Sequence, residues 1–482
     1  MSLSTALNIA QNSLLNTQRQ TSVVARNLSD AQNADYARRS SILSSLAPGA
    51  RVAEIRRATD AALFRQNMTA LSGWTAQSVI LDGLQQLSVS VNSVDNATSA
   101  ATMLGEFQRA LDIYAATPSN RTLAENAVEA ARQLVRSLNQ GSAAIQRFRA
   151  DMDSQIDTGV SELNGLLKDF EAANTAVMKG ERADRPDLDA LDRRDALLKK
   201  ISEYVPISTI TRTDNDVMIV TADGTTLFET TPRTISFEPI PAYGAATTGN
   251  RILIDGVPVA VPVGANTTAG GKLAAMVQMR DSFATGMQAQ LDEVARGLIE
   301  AFSETDPTMP GDTLPGLFTW PGSPAMPAGG TVADGLASLI GINTLVDPTQ
   351  GGDPVLLRDG INFSYNTDNN ASFSDRLSSY LDRIDTQDAF VTADGTVVTH
   401  TLMTYSTAAV SWFEGLRKSA EDAAETKSAL MVRTHEALVN KTGVNQDEEI
   451  ALMLELEQSY AASAKMMQLI DEMLKTLMGI VR

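Results

Sequence analysis

Residues 446–481, QDEEIALMLELEQSYAASAKMMQLIDEMLKTLMGIV, carry the pattern that decides the fold. Apolar and small residues recur there at alternating spacings of four and three, which is typical of a helix with a continuous packing seam. The seam consists of Leu452, Leu456, Ser459, Ser463, Met466, Ile470, Met473, Leu477 and Ile480. Tyr460 and Met467 widen the apolar face, so we expect this helix to have more than one neighbour.

The ends of this helix carry signals of their own. Acidic residues occupy positions 447–449 in the first turn and Lys475 lies near the last turn, a placement that the helix dipole favours. Asn445 followed by Glu448 resembles a capping box, so we expect the helix to begin at Gln446.

A second heptad pattern lies near residue 1. Its seam consists of Leu3, Leu7, Ala10, Leu14, Thr17, Thr21, Val24 and Leu28. Because Ala and Thr bury little apolar area, this helix should be marginal alone in water. Heptads at both ends favour a coiled coil over two ordinary amphipathic helices. We therefore expect the terminal segments to pair with each other or with copies in other subunits.

The region between the ends is mostly helical in pattern. Residues 60–180 predict a long helical hairpin with a turn at 117–120, and Pro186 opens a further helix. After Pro206 the period changes to two, which predicts strands.

Two Asp-Gly pairs, at 223–224 and 255–256, predict hairpin turns within this strand region. We expect a mainly α fold with a smaller β part: terminal heptad helices forming a coiled coil, a long helical bundle and an inserted small β domain. The expected domains are a terminal coiled coil of residues 1–58 and 441–482, a helical bundle of 59–204, 272–302 and 372–440, an inserted β domain of 205–271, and a Pro/Gly-rich loop and mixed segment of 303–371 attached to the bundle.

Composition excludes several classes of function. The chain has 482 residues, no Cys, two His and a formal net charge of -19. The absence of Cys excludes disulfides and thiolate metal sites, and the acidic balance argues against nucleic-acid binding. No apolar run approaches the length of about 18 residues that a membrane-spanning helix requires. The N-terminus lacks a secretory signal pattern, which fits a cytoplasmic protein or export through a different N-terminal address.

Motifs for catalysis are weak. Gly271-Lys272 could suggest a phosphate-binding loop, but Leu273 replaces the required Ser or Thr. His435 lies in a polar helical stretch and is interpreted as an exposed helical residue. A run of acidic residues is interpreted as a solvated helix start, because its spacing does not match a calcium loop. This run consists of Asp184, Asp187, Asp189, Asp192 and Asp195. We therefore predict no catalytic residue, no metal site, no cofactor and no enzyme activity.

The terminal motifs carry a family resemblance. Residues 25–36, Ala-Arg-Asn-Leu-Ser-Asp-Ala-Gln-Asn-Ala-Asp-Tyr, resemble the N-terminal motif of bacterial flagellar rod, hook and hook-associated proteins. The chain departs from it at Asp30, where Asn is usual, and at Asp35, where Gly is usual, although Asp tolerates a left-handed turn. Residues 36–39, Tyr-Ala-Arg-Arg, are similar to the version in hook-associated proteins of the hook–filament junction.

Further matches follow this resemblance in order along the chain. Residues 442–449 and 457–465 resemble the C-terminal motif of the same family. Internal matches lie at 191–195, 270–273 with 280–281, and 356–360.

The resemblance implies a structural component of the extracellular bacterial flagellum, a junction protein that connects hook to filament and is needed for filament attachment and motility. It implies unfolded export through the flagellar type III apparatus, without a cleaved signal peptide. The implied partners are further copies in a ring of subunits, the hook protein, a second junction protein or filament subunit, and an export chaperone. Nucleic-acid binding and membrane insertion are not expected.

Assembly is assigned to residues of the two terminal segments. They are Leu3, Leu7, Leu14, Val24, Asn27, Leu28, Asn33, Tyr36, Leu452, Leu456, Tyr460, Met466, Ile470, Met473 and Leu477. Alternatives are a hook or filament subunit of the same axial family, or a secreted helical type III effector or tip protein. The effector alternative predicts a long apolar helix pair, which the sequence lacks. A wall-degrading hydrolase would need an acid pair clustered in a cleft.

Overall fold

The computed structural model describes residues 3–46, 49–91, 96–309, 311, 313–329 and 331–480. The fold is mainly α with a smaller β part, as predicted. Its contacts separate into two compact units. Unit 1 contains Met1–Leu71, Gly165–Arg233 and Lys427–Arg482, and unit 2 contains Ser72–Asn164 and Thr234–Thr426.

The helices dominate the described residues. They are α1 Leu3–Ser29, α2 Ala61–Ser90, α3 Ala100–Ala116, α4 Arg121–Arg182, α5 Leu188–Tyr204, α6 Lys272–Gln278, α7 Ala284–Ala301, α8 Leu336–Leu339, α9 Leu356–Asp359, α10 Asp375–Ile384, α11 Leu402–Thr442 and α12 Gln446–Ile480. A π-helical turn at Met279–Phe283 joins α6 to α7.

The strands are short and pair in antiparallel fashion. They are β1 Arg39–Leu46, β2 Gly49–Arg57, β3 Ile207–Thr211, β4 Val217–Thr221, β5 Thr226–Phe228, β6 Ile235–Ser236, β7 Leu253–Ile254, β8 Val257–Pro258, β9 Glu304–Thr305, β10 Thr313–Leu314, β11 Phe318–Thr319, β12 Gly341–Ile342, β13 Asp388–Val391 and β14 Val397–His400. The three-stranded sheets are β3-β4-β5 and β6-β7-β8, and the other described strands form two-stranded pairs.

The predicted start of the C-terminal helix agrees with the structure. The side chain of Asn445 accepts hydrogen bonds from the backbone N–H groups of Asp447 (3.1 Å) and Glu448 (3.4 Å), so that α12 begins at Gln446. This contact satisfies donors that the first helical turn otherwise leaves unpaired.

The long central helix also matches its pattern. α4 runs without interruption for 62 residues after a turn at 117–120. The unit 2 part of α4 has a buried face with near-heptad spacing, which explains how it packs along its length. That face includes Leu134, Leu138, Ile145, Phe148 and Met152.

The β1–β2 hairpin corrects the prediction for residues 1–58, because strands occupy part of the expected coiled-coil segment. The register shifts between Ile42 and Leu43, which is a β-bulge. A bulge breaks the strict alternation from which strands are recognised in sequence. Period-two alternation therefore does not identify this hairpin in the sequence.

The division into units also differs from the expected domains, because residues 205–271 do not form one inserted β domain. The sheet β3-β4-β5 belongs to unit 1, where Phe228 packs edge-on against Phe170 with ring centroids 4.9 Å apart. The sheet β6-β7-β8 belongs to unit 2, where Asn164 donates to the carbonyl of Ile235 (2.8 Å). Each sheet packs on a different stretch of α4, so the expected bundle 59–204 is divided as well.

Unit 2 has a core that includes the Pro/Gly-rich segment. Phe302 lies 5.2 Å from both Phe107 and Phe318 between ring centroids and stacks on Tyr380 at 4.7 Å. All four aromatic side chains are fully buried. The segment 303–371 is therefore packed into unit 2 through Phe318 and its neighbours. In the described residues, no helix is long and apolar enough to cross a membrane.

Candidate assembly site on the paired terminal helices

The terminal helices α1 and α12 pair within unit 1. The hydroxyls of Ser13 and Ser463 are 2.9 Å apart, and the amide of Asn27 donates to the Glu449 carboxylate (3.0 Å). The two α1 residues are fourteen positions apart, and so are their partners on α12, in the opposite direction. The helices are therefore antiparallel and hold one register along this length.

One face of α12 is buried at every seventh residue. Glu449, Leu456, Ser463 and Ile470 are 1%, 7%, 7% and 3% exposed. Met453, Met467 and Leu474 are half-buried, which places them beside this row. The buried seam therefore shares Leu456, Ser463 and Ile470 with the predicted one.

The other half of the predicted seam lies in solvent. Exposed residues of α12 from the predicted set are Leu452, Tyr460, Met466, Met473 and Leu477. Because α12 is apolar over much of its circumference, two stripes with the same spacing coexist, and sequence spacing does not select between them. The partner helix decides which stripe is covered.

The uncovered stripe forms a continuous surface, the outer face of α12. It consists of Met466, Leu469 and Met473, each between 51% and 58% exposed. Their spacings of three and four place them on one side of a helix. A row of large apolar side chains exposed in this way is characteristic of an interaction surface.

On α1 the predicted residues lie mainly within the packed region. Val24 is buried, and Leu3, Leu7, Leu14 and Leu28 are half-buried. The second neighbour of α1 is the hairpin, since the side chain of Asn16 accepts from the N–H of Val52 (3.0 Å). Thus α1 lies against both α12 and the β1–β2 hairpin.

Asn27 is the polar centre of this arrangement. It is 0% exposed, its Nδ2 donates to the carbonyl of Arg39 (2.8 Å) and to Glu449, and its Oδ1 accepts from the hydroxyl of Tyr36 (2.8 Å) and the N–H of Arg39 (3.0 Å). A side-chain amide has two donors and two principal acceptor positions, and all are used here. Asn27 thus connects α1, the turn, β1 and α12.

Tyr36 is buried beside Asn27, whereas Asn33 is exposed. Burial raises the pKa of Tyr36 to about 12, against the opposing charge of Arg39, whose guanidinium lies 4.9 Å from the ring centroid. The hydroxyl therefore remains a hydrogen-bond donor to Asn27 at physiological pH.

Glu449 receives a second bond from the turn that follows α1. Arg38 Nε donates to Glu449 Oε1 (2.7 Å), and the backbone N–H of Arg38 donates to the carbonyl of Thr442 at the end of α11 (2.8 Å). Charge-assisted bonds of this kind are short and directional. They position the start of α12 against the turn.

The acidic run at the start of α5 contacts arginines, which corrects the prediction of a solvated helix start. Arg39 reaches Asp189 (2.5 Å) and Asp192 (3.0 Å), and Arg57 reaches Asp192 (2.7 Å) and Asp195 (2.5 Å). These carboxylates are spaced by three residues, which places them along one side of α5. The partners of these carboxylates are arginines of the β1–β2 hairpin, which is distant in sequence. Residue spacing within the acidic run therefore does not reveal them.

Asp187 caps the helix, whereas Asp189 is held by two arginines. Asp187 caps α5 by accepting from the N–H groups of Asp189 and Ala190. Burial raises the pKa of Asp189, but hydrogen bonds from Arg26 and Arg39 outweigh it and hold that pKa below its ordinary value. Asp189 therefore stays ionised and holds both arginines.

Unit 1 also contains an open cavity of about 410 Å³ lined by Tyr36, Arg57, Phe64, Arg194 and His435, among others. His435 is half-buried at this cavity, which corrects the prediction that it is exposed. Among the described residues, no group of three or more His, Cys, Asp or Glu side chains could hold a metal ion. The polar groups of the helix pair hold segments of the chain together.

Comparison with known proteins gives two matches to family models. The flagellar hook-associated protein FlgK helical domain matches residues 84–307. The flagellar basal body rod FlgEFG protein C-terminal model matches residues 437–480, which include all of α12. No curated protein matches the chain.

Among solved structures, the flagellar hook junction protein FlgK from Burkholderia pseudomallei is 17% identical, with a TM-score of 0.42. The match covers 53% of this chain and 46% of that protein, so it spans less than half of the relative's length.

The two family models place the chain among the axial proteins of the bacterial flagellum. Within that class it resembles the hook-associated proteins that carry the FlgK helical domain, whose model matches residues 84–307. The family resemblance is thereby confirmed, and the second model confirms it for the C-terminal motif. The family is structural, and its matched segments include both the long central helix and the C-terminal helix.

Proposed function

We propose that this protein is a structural component of the flagellar hook–filament junction, self-assembling through its terminal helices. The observation that carries this proposal is the division of α12 into two faces. One face packs on α1 of the same chain, and the outer face of Met466, Leu469 and Met473 stays uncovered. A second copy, packed on this outer face, would bury it.

The partners follow from the same role. Copies of the chain form a ring, with the hook protein on one side and a second junction protein or filament subunit on the other. The chain reaches the cell exterior by flagellar export, with a chaperone bound before export. The FlgK helical-domain match favours the junction over a hook or filament subunit.

Deletion of the gene tests the position in the flagellum. We expect electron microscopy to show hooks without filaments and filament subunits in the medium. Loss of the hooks themselves would indicate a hook subunit, and normal filaments would contradict the proposed role.

Substitutions on the outer face test the assembly surface. The double variant Met466→Asp with Met473→Asp places charges on side chains that are about half exposed, so the α1–α12 pair should stay folded. We expect this variant to be exported but to fail in restoring filaments to the deletion strain. The matched control, Ala461→Asp with Gln468→Asp, adds the same charge at exposed positions of α12 outside this face. Equal motility of the two variants would refute the outer face as an assembly surface.

A further inference from the structure

The α1–α12 pair repeats every seven residues. The buried row of α12 is Glu449, Leu456, Ser463 and Ile470, and the observed register sets these opposite α1 positions 27, 20, 13 and 6. Two of these four layers are fixed directly by the contacts of Asn27 with Glu449 and of Ser13 with Ser463. The pairing thus consists of layers at heptad intervals.

Such a repeat does not define its own register. If α12 moved by one heptad, Leu456 would lie opposite position 27, Ile470 opposite position 13, and Leu477 opposite position 6. Leu477 is exposed at present and would replace the buried area that Glu449 vacates. The apolar content of the seam would be kept, so apolar packing alone leaves more than one register open.

The Asn27 layer breaks this degeneracy. In the shifted register Asn27 would face Leu456, and its Nδ2 would lose the Glu449 carboxylate. In the opposite shift Glu449 would be buried opposite Gln20, away from both Asn27 and Arg38. A buried polar group without its partner is strongly unfavourable, so both shifts are penalised.

Asn27 also fixes the alignment of α1 with the hairpin. Asn27 Oδ1 binds Tyr36 and the backbone of Arg39, which leads directly into β1. Arg38, next to it, binds Glu449. The contacts that align α1 with α12 are thus continuous with those that hold the turn and the hairpin.

We propose that Asn27 and Glu449 are positioning residues that select one register of α12 on α1. By selecting it, they set where the outer face of α12 lies along α1. This deepens the proposed assembly role, but the register itself is a property of the isolated chain and is testable without a flagellum.

The chain contains no Cys, so engineered pairs report the register cleanly. Ser13→Cys with Ser463→Cys reports the observed register, since the two hydroxyls are 2.9 Å apart. Gln20→Cys with Ser463→Cys and Ala6→Cys with Ser463→Cys report shifts of one heptad in either direction. Disulfide formation requires Cα atoms within about 7 Å, which separates positions seven residues apart.

Under mild oxidation of the dilute full-length chain, we expect rapid crosslinking of the first pair and at least tenfold less of the other two. In an Asn27→Leu background, we expect a shifted pair to rise to a level comparable with the first. Glu449→Leu breaks the same layer from the other helix and should have the same effect. These two backgrounds are independent, so impaired folding of one leaves the other informative.

The matched control is Asn16→Leu, the same substitution at another buried amide of α1, which binds the hairpin at Val52. In the Asn16→Leu background, the pair Ser13→Cys with Ser463→Cys should still crosslink more than the two shifted pairs. The proposal is refuted if all three pairs crosslink equally in the unmodified background. It is refuted equally if neither Asn27→Leu nor Glu449→Leu raises a shifted pair, or if Asn16→Leu raises it as much. Loss of assembly with an unchanged crosslinking pattern would concern the outer face alone.

Discussion

The double substitution Leu456→Asp with Ile470→Asp tests the inner face of α12, the buried row Glu449, Leu456, Ser463 and Ile470, independently of the outer face. Both side chains are nearly fully buried, at 7% and 3% exposure, and lie on either side of Ser463. Losing each apolar side chain costs about 2 kcal/mol of burial. Each unpaired carboxylate adds several kcal/mol more if it stays buried.

The total approaches the roughly 5–15 kcal/mol by which a whole domain is stable. Separation of α12 from α1 costs less free energy than burial of both carboxylates, because it hydrates them. Unit 2, with its own core, should stay folded. We therefore expect a chain that is folded in unit 2 and has unprotected terminal helices.

Limited trypsin digestion followed by mass spectrometry measures this outcome. We expect rapid cleavage at Arg19, Arg26 and Lys465, with fragments of unit 2 persisting, and no filaments in the complemented deletion strain. Met466→Asp with Met473→Asp is the matched control for the digestion and should leave the cleavage pattern unchanged, because it adds the same two charges at exposed positions of the same helix. Unchanged cleavage of the Leu456 and Ile470 variant, together with normal motility, would refute the assignment of these residues to the seam.

Three further predictions concern single groups. Burial raises the pKa of Asp292 to about 6, so its contribution to folding stability is full below about pH 4 and is lost as the pH rises through 6; the change is about 3 kcal/mol. In the Asp292→Asn variant, the free energy of unfolding measured with urea should change less between pH 4.5 and 7 than in the unmodified protein. An equal change with pH in both proteins would contradict this prediction. Tyr36→Phe removes the donor to Asn27 and should lower the free energy of unfolding by about 1 kcal/mol; an unchanged urea midpoint would argue against that bond. Arg39→Met leaves Asp192 buried with one arginine and should cost about 3 kcal/mol, largely retained in 1 M salt since buried pairs are weakly screened.

The limits of α12 were predictable because its signals are local. Asn445 caps the helix through backbone groups two and three residues away, and the acidic first turn reinforces it. The seam was predicted only in part. Leu456 and Ile470 are buried, whereas Met466 and Met473 are exposed, because both stripes satisfy the same spacing.

The features that sequence reasoning missed depend on distant partners. The bulge lies on β2 opposite Ile42 and Leu43, where Ala53 has no partner in the register, and it interrupts the alternation that predicts a strand. The sequence predicts a solvated Asp192, whereas its partners Arg39 and Arg57 lie more than 130 positions away. A carboxylate in a helix start looks the same in sequence whether water or an arginine faces it.

The two faces of α12 differ in chemistry in the way that their proposed tasks require. The inner face is interrupted by polar residues, Glu449 and Ser463, each bound to a specific partner on α1. Such layers lower the gain from apolar burial but penalise every other alignment, which suits a contact that forms once, within one chain. The outer face has Met and Leu without such layers. Flexible Met side chains adapt to neighbours that are not identical, as a junction between two different structures would present. The inner face therefore defines the position of the helix, and the outer face can then accept more than one partner.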